Sequence, residues 1–146
     1  MKKIILLILI AYNFPSLAQK EIEFKVQNKV SDFILKHASF PKTYKPISFE
    51  YFLILNSEDT SSVEDRTSHD TYSITHTFKI KNNKGKTVQY QLRFDIDHNF
   101  LIMEIKEYQD PDTICTHCYP PQLDWWFKNL GRKITLQEKI ELGIKQ

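Results

Sequence analysis

The alternation of apolar and polar positions is clearest between Tyr72 and Ile96. Tyr72, Ile74, His76, Phe78 and Ile80 alternate with Ser73, Thr75, Thr77 and Lys79, and Val88, Tyr90, Leu92, Phe94 and Ile96 alternate with Gln89, Gln91, Arg93 and Asp95. A period of two in β-branched and aromatic residues predicts two strands, and the Asn/Gly-rich stretch between them predicts a hairpin. Both even-numbered sets share a face only if the loop holds an odd number of residues, because a one-residue slip flips every side chain. A three-residue loop, Asn83-Lys84-Gly85, satisfies this and places Gly85 where a left-handed residue is required. The register then sets Phe78 against Tyr90 and His76 against Leu92.

Upstream, Ile22, Val26, Val30, Phe33 and Ile34 step at helical spacing across Glu21 to Ala38, with Lys25, Lys29, Asp32 and Lys36 on the other side. Phe40 to Pro46, with prolines at 41 and 46, reads as a stiff extended connection. Ile47 to Leu55 reads as a strand with Ile47, Phe49, Tyr51, Leu53 and Leu55 on one face, and Phe52 and Ile54 imply partial cover on the other. Asn56 to Asp70 is polar and acidic, and reads as a long loop. A two-residue turn at His98-Asn99 would set Ile96 against Leu101, place Leu101, Met103 and Ile105 on the buried face, and leave Glu104 and Lys106 in water.

The tail changes character. Leu123, Trp126, Phe127 and Leu130 form a short helical stripe that Gly131 closes. Thr135-Leu136-Gln137-Glu138 has the form of a capping box, opening a last helix that carries Leu136, Ile140 and Ile144. These helices would cover the sheet surface that Phe52 and Ile54 expose. The fold class expected is α+β: an N-terminal helix packed on a four-stranded antiparallel meander, plus two short C-terminal helices.

The order α-β-β-β-β resembles the cystatin-like fold. The residues Phe40-Pro41-Lys42-Thr43-Tyr44-Lys45-Pro46-Ile47, Tyr72-x-Ile74-x-His76-x-Phe78-Lys79-x-Lys81-Asn82-x-x-Gly85 and Phe94-x-Ile96-Asp97 also resemble a group of small exported Bacteroidota proteins of unknown function. The likeness spans Glu21 to Ile105. That group usually carries Gly where this chain has Phe100. The resemblance implies a fold and an exported location, and no activity.

Charge and leader pattern bear on location. Lys2-Lys3, the aliphatic run Ile4–Ala11 and the Ser16-Leu17-Ala18 boundary have the order of a secretory signal peptide cleaved after Ala18. The apolar run is too short for a membrane anchor. Removing it lowers Lys+Arg from 20 to 18, against 18 Asp+Glu. A neutral mature chain gives no support for nucleic-acid or polybasic membrane binding. The expected organisation is residues 1–18 as signal peptide, 19–108 as the helix-plus-sheet domain, and 109–146 as a Cys-containing extension packed on it. The expected location is periplasmic or secreted, with no transmembrane segment after cleavage.

Cys115-x-x-Cys118 is the one motif with a chemical reading. An exported compartment favours a structural disulfide. A redox pair, with His117 lowering a thiol pKa, or a metal half-site are the alternatives. His76 lies on an apolar strand face and reads as a hydrogen-bonded core histidine or a partner-binding residue. Trp125 falls off its helical stripe and could anchor a protein or glycan partner. No nucleophile elbow, paired metal-binding histidines or phosphate loop is present, and no catalytic residue or cofactor is expected. These observations give an exported, non-enzymatic binding domain, with a periplasmic thiol-active protein and an inhibitor or immunity-type protein as alternatives.

Overall fold

A computed structural model describes residues 16–57, 69–108 and 120–144. Helix α1 spans Leu17–His37. A 3-10 turn at Pro41–Thr43 leads into strand β1, Lys45–Ser57. Strands β2 (His69–Lys81), β3 (Thr87–Ile96) and β4 (Ile102–Glu107) follow, then helices α2 (Asp124–Asn129) and α3 (Leu136–Glu141). The sheet is antiparallel in the order β1-β2-β3-β4. The expected α+β arrangement is the one observed.

The β2–β3 hairpin has the register read from the sequence, with Phe78 opposite Tyr90 and His76 opposite Leu92. The amide of Asn82 donates to Lys86 O (2.9 Å), that of Gly85 to Asn82 O (2.8 Å), and Gly85 has φ 75°. A side chain there would adopt a left-handed backbone, so Gly85→Val is expected to destabilise the fold by about 1 kcal/mol or more, read from urea denaturation midpoints.

The core lies on one side of the sheet. Val26, Val30, Phe33 and Ile34 of α1 meet Ile74, Phe78, Ile80, Leu92, Phe94 and Ile96, and Leu123, Trp126, Leu130 and Leu142 belong to the same cluster. Phe33 and Trp126 make an edge contact at 5.2 Å. The C-terminal segments therefore extend the layer begun by α1. Phe52 and Ile54 pack against this same core.

Three other expectations are corrected. The connection at Phe40–Pro46 is not extended throughout: Pro41 sits in the first turn of the 3-10 segment, where its missing N–H costs nothing, and Thr43 Oγ1 donates to Phe40 O (2.7 Å). The odd-numbered residues of β1 do not share a face, because the register shifts between Glu50 and Leu53 and Tyr51 adopts φ 53°. This bulge turns Phe52 onto Tyr72 and leaves Tyr51 59% exposed. The β3–β4 turn holds three residues: Asp97 N–H donates to Leu101 O (3.0 Å), Phe100 N–H to Asp97 O (2.9 Å), and Phe100 takes φ 62°. It repeats the Gly85 turn with a phenylalanine in the left-handed position. Ile102 consequently faces Ile96, and a register shift after it brings Glu104 opposite Asp95.

The Thr135 capping box is present. Glu138 N–H donates to Thr135 Oγ1 (3.2 Å) and Thr135 N–H to Glu138 Oε2 (2.9 Å). Thr135→Ala is expected to cost about 1 kcal/mol in the same denaturation assay. The apolar stripe of α3 is not buried as expected, since Leu136 and Ile140 are 57% and 56% exposed. Among the described residues no helix is long and apolar enough to cross a membrane.

Candidate functional site

The residues singled out from the sequence do not converge. Cys115, His117 and Cys118 lie outside the described residues. His76 is fully buried. Its Nδ1 lies 2.8 Å from Ser48 O, which can only accept, so Nδ1 carries the proton and Nε2 accepts from Tyr44 Oη at 2.7 Å. Ser31 Oγ stands 3.4 Å behind that hydroxyl. Phe49 stacks on the imidazole at 3.8 Å. Burial holds the His76 pKa down at about 4, against a weaker opposing effect of the Ser48 hydrogen bond. Burial likewise raises the Tyr44 pKa. His76 is thus a neutral linker between β2, β1 and the chain before it. Trp125 is half-buried, edge-on to Tyr90 at 5.9 Å, and packs against the core.

The back of the sheet carries a polar group that the alternation pattern assigned to water. Asp95 is 1% and Arg93 5% exposed, and Ser73 and Thr75 are buried. Ser73 Oγ donates to Asp95 Oδ1 (2.8 Å) and Arg93 Nη2 to Asp95 Oδ2 (3.1 Å). Arg93 lies 3.6 Å and Lys106 3.1 Å from Glu104 Oε2. Cross-strand register lines up Ser73, Asp95 and Glu104 in one row and Arg93 with Lys106 in the next. Tyr51 of β1 stacks on Tyr108 beyond β4 at 5.6 Å, so rings from the two sides of the sheet meet. Two cations and two carboxylates compensate each other here, which permits burial that single charges would not. The correction for Glu104 and Lys106 follows from that pairing: Glu104 is 14% and Lys106 31% exposed.

Among the described residues, a cleft lies where the β2–β3 turn meets the C-terminal helices. It has a volume of about 620 Å³ and is lined by Asn83, Asp124, Phe127, Gly131, Lys133, Ile134, Lys139 and Ile144. Its walls are fixed by specific contacts. Asn83 Nδ2 donates to the carbonyls of Phe127, Lys128 and Gly131 (3.2, 3.3 and 3.2 Å), closing the C-terminus of α2 from the hairpin tip. Ser39 Oγ holds Asn83 Oδ1 at 2.6 Å. A Cβ on Gly131 would stand 2.5 Å from Phe127 Cδ1, so only glycine admits this close approach. Arg132 pairs with Glu138 through Nη1 and Nη2 and donates its Nε–H to Lys36 O (3.0 Å), tying α3 to the end of α1. The Arg132 hydrogen bonds, with Thr135 N–H next, hold the Glu138 pKa at about 2. Gly143, at φ 69°, ends α3 and turns Ile144 into the cleft.

The cleft is chemically simple: an apolar floor of Phe127, Ile134 and Ile144, with two ammonium groups and one carboxylate at the rim. Neither His76 nor Trp125 lines it. The capping box and Gly131 were readable from the sequence. The meeting of Asn83 with residues 127–131, more than 40 positions away, was not. Comparison with protein-family models, with curated proteins and with solved structures returned no match.

Proposed function

We propose that this protein is an exported binding domain whose cleft holds a small ligand with an apolar body and an anionic group. The carrying observation is the cleft itself. Its volume of about 620 Å³ lies within the ~300–1,000 Å³ of small-ligand sites, and its apolar floor with few polar groups has their character. Lys133 and Lys139 against the single Asp124 favour an anion. Binding without chemistry is supported by His76, whose two nitrogens are both engaged within the fold.

Export is supported by the basic–apolar–small order of residues 2–18 and by the exposure of residues 16–18 at the start of α1. Leu17 is 86% exposed, Ser16 caps α1 through its side chain at Gln19 N–H and its carbonyl at Lys20 N–H (both 3.1 Å), and the buried residues of α1 begin at Val26. The proposal includes kinship with the small exported proteins of cystatin-like fold, resting on the residue patterns Phe40–Ile47 and Tyr72–Gly85. Cys115 and Cys118 lie outside the described residues, and thiol counting with and without reductant tests whether export leaves them paired. The mass of the exported product should begin at Gln19, and retention of Met1–Ala18 would defeat the export reading.

A panel of aliphatic and aromatic carboxylates tests the cleft by thermal shift. A bound ligand at 100 times its Kd stabilises by about 2.7 kcal/mol, a shift of several degrees for a chain of this size. The shift should disappear in Ile134→Trp, which fills the cleft, and shrink in Lys133→Ala/Lys139→Ala. A panel without effect, or a shift that survives in Ile134→Trp, defeats the proposal.

A further inference from the structure

Among the described residues, another groove lies mainly on other elements, sharing with the first only the end of the last helix, and carries a different charge pattern. It has a volume of about 180 Å³ and runs between one flank of α1 and the β3–β4 turn. Phe33, Ile102 and Leu142 form its floor, and Lys29, Asp32 and Lys36 its α1 rim. Lys25 continues that rim, since positions 25, 29, 32 and 36 step by four, three and four and so share a helix flank. All four side chains are exposed. Among the described residues none of the three lysines makes an ion pair, so the row presents three positive charges against Asp32 alone.

The opposite wall is Phe100, held at φ 62° where a glycine would be unstrained. A bulky residue in the left-handed region is a genuine outlier. Its ring is stacked on Tyr72 at 5.3 Å and covered by Lys25 Nζ at 4.1 Å, which fixes the wall in place.

We infer that this groove is a docking site for an acidic peptide segment that inserts one aliphatic or aromatic side chain between Phe33, Phe100 and Leu142. The volume lies below the ~300–1,000 Å³ of small-molecule pockets and suits a single side chain. The eleven helical steps of α1 from Lys25 to Lys36 span about 16 Å, the length of about five residues of extended chain at ~3.3 Å each. Carboxylates on either side of the inserted residue face the lysine row. This surface is separate from the carboxylate-binding cleft, and each can fail without the other.

The test is fluorescence anisotropy of a labelled Glu-Asp-Phe-Glu-Asp peptide against the full chain at low salt. Saturable binding is expected, weakening as NaCl is raised. Lys29→Glu/Lys36→Glu should weaken it about tenfold or more, and so should replacing the peptide phenylalanine with alanine. Both lysines are exposed on the helix surface, so the variant is expected to keep the parent circular dichroism and melting temperature. Lys84→Glu/Lys86→Glu, on the hairpin tip, should leave binding unchanged. Absence of saturable binding overturns the inference, as does equal weakening by the hairpin variant, which would mean nonspecific attraction. Co-sedimentation with phosphatidylserine vesicles that is lost in Lys29→Glu/Lys36→Glu, with no binding of the peptide, overturns it in favour of a lipid surface.

Discussion

Lowering the pH from 7.5 to 5 is expected to cost the fold about 2 kcal/mol through His76, rising to about 3 kcal/mol at pH 4. The sign follows from the direction of the shift. Burial lowers the folded-state pKa from 6.5 to about 4, so the unfolded chain takes up the proton first. The stabilisation is complete above pH 6.5 and is lost progressively as the pH falls from there to about 4. Protonation also removes the Nε2 lone pair that Tyr44 Oη uses, and sets a charge beneath Phe49. His37 titrates in the same sense, because burial first and then Lys36 and Arg132 lower its pKa. Urea denaturation at pH 7.5 and 5 separates the two. His76→Gln should be less stable at pH 7.5 and lose most of the pH dependence, and His37→Gln should keep it. Glu138, with a pKa of about 2, adds to acid lability only below about pH 4.5. A parent protein equally stable at both pH values would contradict the buried, neutral assignment.

Trp126→Ala is expected to destabilise by about 3–5 kcal/mol, the range for truncating a large buried aromatic. Trp126 is fully buried and joins α2 to Phe33 of α1 at 5.2 Å. Among the described residues its buried indole Nε1 has no hydrogen-bond partner, so Trp126→Phe should cost far less: a smaller cavity is partly offset by removing an unsatisfied donor. Denaturation followed by Trp125 fluorescence and by circular dichroism should give coincident transitions, since one core contains residues of α1, the sheet and the tail. If the fluorescence change comes first, the tail unfolds separately and the single-core description fails.

What was legible in the sequence was local. The β2–β3 register followed from a period of two and a glycine at the tip, and the Thr135 cap from four consecutive residues. The stripe Val26, Val30, Phe33 and Ile34 announced the buried side of α1. The bulge at Tyr51 was not legible, because an aromatic in a run of strand formers looks the same paired or bulged. The left-handed Phe100 was hidden for the opposite reason: its side chain disfavours the backbone it adopts, and packing on Tyr72 and beneath Lys25 overrides the preference. The burial of Asp95, Arg93 and Glu104 came from charge compensation across β3 and β4, which no single strand displays. The cleft depended on Asn83, whose role is defined by carbonyls far along the chain.

The irregular first strand has a consequence for how this protein meets copies of itself. β4 is flanked by the bridge between Glu104 and Gln122, but β1 has no neighbour on its outer side among the described residues. A 13-residue edge with exposed Ile47, Tyr51 and Leu53 is the sort of template on which chains add strand to strand. Two register shifts and the left-handed turn of the backbone at Tyr51 break that template into short pieces. A second chain can follow its hydrogen-bonding groups for only a few residues before they rotate away. The kink therefore guards solubility, and a variant that straightened β1 would exchange a soluble edge for a nucleus of aggregation.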